Sequence, residues 1–219
     1  MDIGGFFTYI IGVMPQMMVG IGNTMKIYFI AILPALPLGV LCGIGKAVGP
    51  KPLRSLLGVY TWAWRGTPLL LQLMIAIFGL PMLGIKIPDY LIVSIAFALN
   101  MGAYITEIMR AAIQSVDKGQ YEACSALSIP YWRTMFRVII PQSIRIAIPP
   151  ACSEAINLVK DIAIVAIIGL QDITRVTQQI GFRDKTFSPF VIAFLAYLLL
   201  TTVFVKLFGA LEKKSTSYD

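Results

Sequence analysis

The chain contains no histidine anywhere in its 219 residues, so the commonest metal ligand and the commonest general base are both missing. Charge is scarce too: 13% of residues are charged, against about 25% in ordinary soluble domains. Only three cysteines occur, Cys42, Cys124 and Cys152. Their spacing fits neither a disulfide framework nor a zinc site, and they read as small buried hydrophobes. No Gly-x-x-x-x-Gly-Lys-Ser/Thr phosphate loop is present, which leaves the chain without a nucleotide site of its own. The N-terminus opens with Asp2, Gly4 and Gly5 rather than a basic segment, so no cleavable signal peptide is expected. With no nucleophile beside a base and no paired catalytic carboxylates, the expectation is a protein that is not an enzyme and that binds no metal.

What is abundant is apolar surface: 58% of the residues are hydrophobic. The net charge of +7 does not form a stripe of the kind that grips nucleic acid. The basic residues gather at the ends of apolar runs, as they do on the inner side of a membrane. The expected fold class is therefore an all-α integral membrane protein with about five transmembrane helices, forming one domain over residues 1–219. The spans are expected at 19–44, 56–83, 90–113, 146–170 and 189–210. Residues 6–18, with Phe6, Phe7 and Tyr9 and interrupted by Pro15 and Gln16, suit a short interfacial segment on the outer leaflet. Pro34 and Pro37 predict a kink in the first span. A short loop carries Lys46, Lys51 and Arg54, and Tyr60, Trp62, Trp64 and Arg65 read as an aromatic and basic interfacial belt.

Orientation follows from lysine and arginine. Lys46, Lys51, Arg54, Arg110, Lys118, Arg133, Arg137, Arg145, Lys213 and Lys214 fall on one side of such a topology. Lys86, Arg175, Arg183 and Lys185 fall on the other. Ten against four places the 114–144 segment and the C-terminus in the cytoplasm and the N-terminus outside.

Polar residues inside spans are costly and mark function by default. Asn100 lies at mid-depth in the third span, where contact with a ligand and a bond between helices are equally consistent. Glu107 and Arg110, three residues apart, share a face and are expected to pair. The fourth span holds Glu154, Asn157, Lys160 and Asp161. Positions 154, 157 and 161 fall on one helical face, a lining whose mixed charges suit an ammonium and a carboxylate. The alternatives are an ion pair that glues helices, or snorkelling at the outer end. Arg65, Thr67 and Pro68 set a cation beside a helix-breaking step, a candidate for gating or subunit contact and equally for an interfacial anchor.

The most informative stretch is the polar island at 114–144. It reads as helix, turn at Ser128-Ile129-Pro130, second helix, then Pro141. Glu122-Ala123-Cys124, Ser125-Ala126-Leu127, Ser128 and, later, Ile139-Ile140-Pro141-Gln142 resemble the Glu-Ala-Ala loop of ATP-binding-cassette importer permeases, specifically the polar amino acid uptake branch. Arg65-Gly66-Thr67-Pro68-Leu69, residues 112–120 and Lys160-Asp161 extend the likeness over nearly the whole chain. Cys124 replaces the pattern's second alanine. Ser128 replaces its glycine, which relieves strain where the backbone needs positive φ; Pro130 offers another way to hold the turn.

The resemblance implies a permease subunit of the type I-like class in the bacterial cytoplasmic (inner) membrane, carrying a polar amino acid. It implies an ATP-binding subunit in two copies that holds ATP and Mg, an extracytoplasmic amino-acid-binding protein, and a second permease copy or sister permease. Glu122, Ala123, Leu127, Ser128, Arg133 and Phe136 are the expected coupling surface for the ATPase. No cofactor is expected on this chain, and its surroundings are lipid rather than nucleic acid. The competing class is an ion-coupled secondary amino acid transporter driven through Glu154 or Asp161.

Overall fold

The computed structural model describes the backbone of residues 3–216 and the side chains of residues 8–213. Every regular element among them is helical: α1 (Ile3–Val48), α2 (Lys51–Gly66), α3 (Leu69–Met82), α4 (Asp89–Ser115), α5 (Lys118–Ala126), α6 (Tyr131–Thr134), α7 (Ile140–Asp161), α8 (Ile173–Asp184) and α9 (Ser188–Thr216). A π-helical turn, Met135–Ile139, leads into α7, and a 3-10 segment, Ile162–Ala166, follows it. By length and apolar content three helices qualify as membrane spans, Thr8–Val48, Asp89–Ser115 and Ser188–Lys213, and the α2–α3 pair makes a fourth if it counts as one. Helix α7, with Arg145, Glu154, Lys160 and Asp161, is too polar to be among them.

Three expectations change here. The interfacial segment at 6–18 is instead continuous with the first span, and α1 stays helical through Pro15, Pro34 and Pro37. The side chains of Phe6 and Phe7 lie outside the described residues. A proline in a helix costs about 3 kcal/mol. Burial of Val13 and Met17 against Ile173, Val176, Ile180, Ile192 and Ala193 offsets that, at about 1.5–3 kcal/mol per side chain.

The expected single span at 56–83 is two helices bent by 102°. Pro68 has no N–H and pushes its predecessor out of the α region, and Thr67 accordingly sits at φ −119°, ψ 148°. The fourth expected span, 146–170, begins earlier and stops at Asp161. The chain then tightens into the 3-10 segment and turns at Gly169, whose φ is +89°.

The chain divides into two compact units, Met1–Ile32, Pro68–Ala98 and Ile156–Lys206 in the first and Leu33–Thr67, Leu99–Ala155 and Leu207–Asp219 in the second. The first is centred on Val13, Met17, Val176 and Ile180. Its helix α8, which lies outside all the expected spans, is pinned at both ends. Asp172 caps it by accepting from Thr174 N (3.0 Å) and Arg175 N (2.8 Å), and Tyr197 donates to the same carboxylate at 3.2 Å. Burial pushes the Asp172 carboxyl up, against the pull of those donors. At the other end Tyr9 donates to Asp184 at 2.8 Å.

In the second unit, α1 and α4 approach through small residues. A Cβ on Gly43 would lie 2.5 Å from the Met109 Cβ and 2.8 Å from the Thr106 carbonyl, and Gly39 meets Ile105 and the Gly102 carbonyl in the same way. Two glycines four residues apart let the backbones close. Gly43→Leu overpacks this contact and is expected to cost about 1–3 kcal/mol. The check is a fall in the thermal midpoint of the detergent-solubilised protein, followed by tryptophan fluorescence, with Gly58→Ala, whose Cβ enters open space, as the neutral control.

Candidate functional site: the polar island and its mounting

The island is carried by α4. Met109, Ala112 and Ile113 in its last turns and Val116 just beyond them are buried, and Met135, Ile139, Ile140 and Ala147 pack on them to form one apolar cluster. Val40, Ile44, Ala47 and Val48 of α1 close it from the side. Beside the cluster, Glu107 accepts from Arg110 Nε at 2.8 Å, the pairing expected from their spacing. Glu107 also takes an ion pair from Lys46, and Lys46 Nζ lies 2.5 Å from the Thr61 hydroxyl. Lys46 was expected in a loop; it belongs to the last turn of α1. With side chains only 16% and 15% exposed, Lys46 and Glu107 form the half-buried polar tie between α1, α2 and α4. Sequence offered no signal for it, because 61 residues separate the partners.

Asp117 opens α5, its carboxylate accepting from Gly119 N at 2.6 Å. Cys124 turns inward and is buried, occupying an alanine's place as expected. Burial pushes the Tyr121 phenol up, and nearby Tyr131 adds to it. The helix closes with Ser128 in the left-handed region, φ 54°. Ile129 N bonds back to the Cys124 carbonyl at 2.9 Å, the six-to-one bond of a helix-ending Schellman turn. Pro130 therefore does not replace the positive φ; it opens α6 at φ −59°, ψ 142°. A non-glycine residue in that region costs about 1–2 kcal/mol. Ser128→Gly is expected to raise the thermal midpoint by relief of about 1 kcal/mol, measured by the same fluorescence melt.

Pro141 does not end the second helix, as expected from sequence; α6 runs through it into α7. The ring of Pro141 would crowd the Arg137 carbonyl in a regular helix. The backbone answers with the π turn 135–139, in which Ile140 N reaches the Met135 carbonyl. Such turns gather at functional sites. This one buries Met135 and Ile139 completely and leaves Phe136 60% exposed.

The outward surface is apolar and aromatic. Leu127, Tyr131, Trp132 and Phe136 are all exposed, with the Trp132 and Phe136 rings stacked at 6.0 Å and Tyr131 edge-on to Trp132 at 5.4 Å. Glu122, Ala123, Ser128 and Arg133 are exposed as well. All six expected coupling residues are exposed, and Phe136 joins an aromatic row with Tyr131 and Trp132, which had no assigned role. A preformed, rigidly mounted aromatic patch with a charged rim is the anatomy of a protein docking site.

Elsewhere, Asn100 donates to the Trp64 carbonyl at 3.1 Å and Tyr60 to the Leu99 carbonyl at 2.6 Å, so this part of α2 engages α4 as well as carrying the exposed Trp62. Arg65 lies 5.1 Å over the Tyr104 ring, and Thr67 donates to the Ala63 carbonyl at 2.8 Å. On α7, Glu154 and Asn157 are half-buried, whereas Lys160 and Asp161 are exposed at its C-terminal end. No group of three or more His, Cys, Asp and Glu side chains arranged for a metal occurs among the described residues.

Long apolar helices with a short helical island mounted on α4 are the architecture of a membrane transport component. The chain belongs to the family described as binding-protein-dependent transport system inner membrane component, whose pattern matches residues 35–217. The arginine transport system permease protein ArtQ of Bacillus subtilis (strain 168) is 37% identical over 97% of this chain and 98% of its own. The putative glutamine transport system permease protein GlnP of Rickettsia bellii (strain RML369-C) is 37% identical over 95% and 98%. A crystal structure of an amino acid ABC transporter with histidines superposes with TM-score 0.88 at 34% identity, covering 95% of this chain and 98% of that one. The MetNI methionine ABC transporter in an inward-facing conformation shares the fold at TM-score 0.77 and 14% identity, over 94% of this chain and 99% of that one. The fold is the type I importer permease.

Proposed function

We propose that this chain is the permease subunit of an ATP-driven importer that carries a polar amino acid inward, with the island as the contact for a separate ATPase. The observation that carries the reading is the exposed Leu127–Trp132–Phe136 patch on a buried mounting, in a chain of this family that has no phosphate loop. Work done by the partner must pass through an element that docks and moves as a body. Family and relatives support an extracytoplasmic binding protein as the source of substrate. A pair of permease copies, or this chain with a sister, encloses the path, and two ATPase copies serve it. The lysine and arginine imbalance supports a cytoplasmic island and C-terminus with the N-terminus outside. Glu154, Asn157, Lys160 and Asp161 remain the proposed pathway residues, with Asn100 beside them. Arg65, Thr67 and Pro68, at the bend between α2 and α3, are the proposed gate. Nothing observed favours the ion-coupled alternative.

Affinity purification of the tagged full chain in mild detergent tests the coupling assignment. The ATPase is expected to co-purify with the unaltered chain and to be lost from the Trp132→Ala/Phe136→Ala double variant, since central aromatic anchors carry about 2 kcal/mol or more each. Glu122→Arg is expected to abolish amino acid uptake in cells while expression stays unchanged. Normal uptake by Glu122→Arg, or full retention of the ATPase by the double variant, removes the island from the coupling path.

A further inference from the structure

The first unit holds a cavity of about 260 Å³ lined by Asn23, Lys26 and Ile27 of α1, Tyr90 of α4, and the turn Gly169-Leu170-Gln171. None of the expected pathway residues lines it. Its chemistry is one-sided: an ammonium, two side-chain amides and a phenol, with no aspartate or glutamate in the lining. Lys26 Nζ stands 3.6 Å over the Tyr90 ring. Among the described residues it has no carboxylate within salt-bridge distance, and neither the Asn23 nor the Gln171 amide has a side-chain hydrogen bond. Lys26 also lies within the apolar helix Thr8–Val48, where an ionisable group needs a partner and marks function when none is built in. Lys46, on the same helix, is given a carboxylate. Here the fold supplies a ring face, which orients an ammonium without neutralising it. Gly169, at φ +89° with open space where a Cβ would stand, turns the chain at the cavity's edge without filling it.

We propose that this cavity is a carboxylate-binding station, in which Lys26 pairs with the α-carboxylate of the incoming amino acid and the Asn23 and Gln171 amides donate to its second oxygen. The inference rests on the amino acid importer reading and adds a site to it. Amino acids that differ in side chain share this group, so a station that reads only the carboxylate imposes no side-chain selectivity. An anionic lipid phosphate offers similar chemistry and is the competing occupant.

The test is the rate at which Lys26 is acylated by an N-hydroxysuccinimide ester, read by peptide mass spectrometry. It uses the full chain with its co-purifying subunits in phosphatidylcholine nanodiscs. The probes are L-arginine and L-glutamine, each compared with its α-carboxamide. A probe present at five times its Kd is expected to slow labelling about sixfold, while the carboxamides leave it unchanged and Asn23→Ala weakens the protection. Equal labelling with and without the amino acids overturns the proposal. Slowing produced by phosphatidylglycerol nanodiscs with no amino acid present assigns the cavity to a lipid phosphate and also overturns it. Lys26→Gln, which removes the charge and keeps a polar side chain, is expected to lose amino acid binding while retaining the ATPase on purification. Loss of the importer reading itself appears separately, as absence of any co-purifying ATPase from the unaltered chain.

Discussion

Gly39 and Gly43 have no side chain, and the mounting of the island in the second unit depends on that absence. Because α1 and α4 close to contact there, Lys46 in the last turn of α1 reaches Glu107. Val40 and Ile44 reach the Met109–Val116 face by the same approach. That face is where Met135 and Ile139 are buried, and their burial turns Phe136 outward. A local steric fact in one helix thus sets the pose of a surface that is sequence-distant from it. Lipid offers no hydrophobic drive between helices, so close van der Waals packing and a polar tie supply the association instead.

Much of this was legible from composition and spacing, and the reasons differ by residue. The membrane class followed from too little charge for a soluble surface, and the island from a run of mixed polarity between apolar runs. The Glu107–Arg110 pair followed from helical spacing, since an i, i+3 contact needs no tertiary information. The Lys46–Glu107 contact was not legible, because no local rule joins residues on separate helices. At 56–83 the apolar content outweighed Thr67-Pro68, although the proline was in plain view: hydropathy reports burial in lipid and is blind to direction. At 6–18 the reverse held, and Pro15 weighed more in the sequence than it does against the burial of Val13 and Met17.

Polar chemistry in this chain is sorted by whether the fold provides a partner. Glu107, Lys46, Asp172 and Asn100 each have one within their own unit, and these residues hold helices together. Lys26 has only a ring face. A pairing satisfied within the chain removes a charge from reach of a solute, whereas a cation left on an aromatic face keeps its charge available at a modest cost. Exposure of polar groups is therefore less informative here than the identity of what faces them.

The island breaks local rules at two positions on one short segment: Ser128 with positive φ, and the π turn ahead of Pro141. Sequences normally keep each local preference consistent with the fold, and departures concentrate where function demands a particular geometry. Both departures aim the same surface. The Schellman turn at Ser128 sets the exit direction of α5, and the π turn rotates Phe136 outward while Met135 and Ile139 stay buried. A regular helix across 131–161 would satisfy Pro141 less well, and its altered register would place different side chains on the exposed face. The strain is consequently part of what holds the Leu127–Trp132–Phe136 patch at the surface, and α4 supplies the buried contacts beneath it.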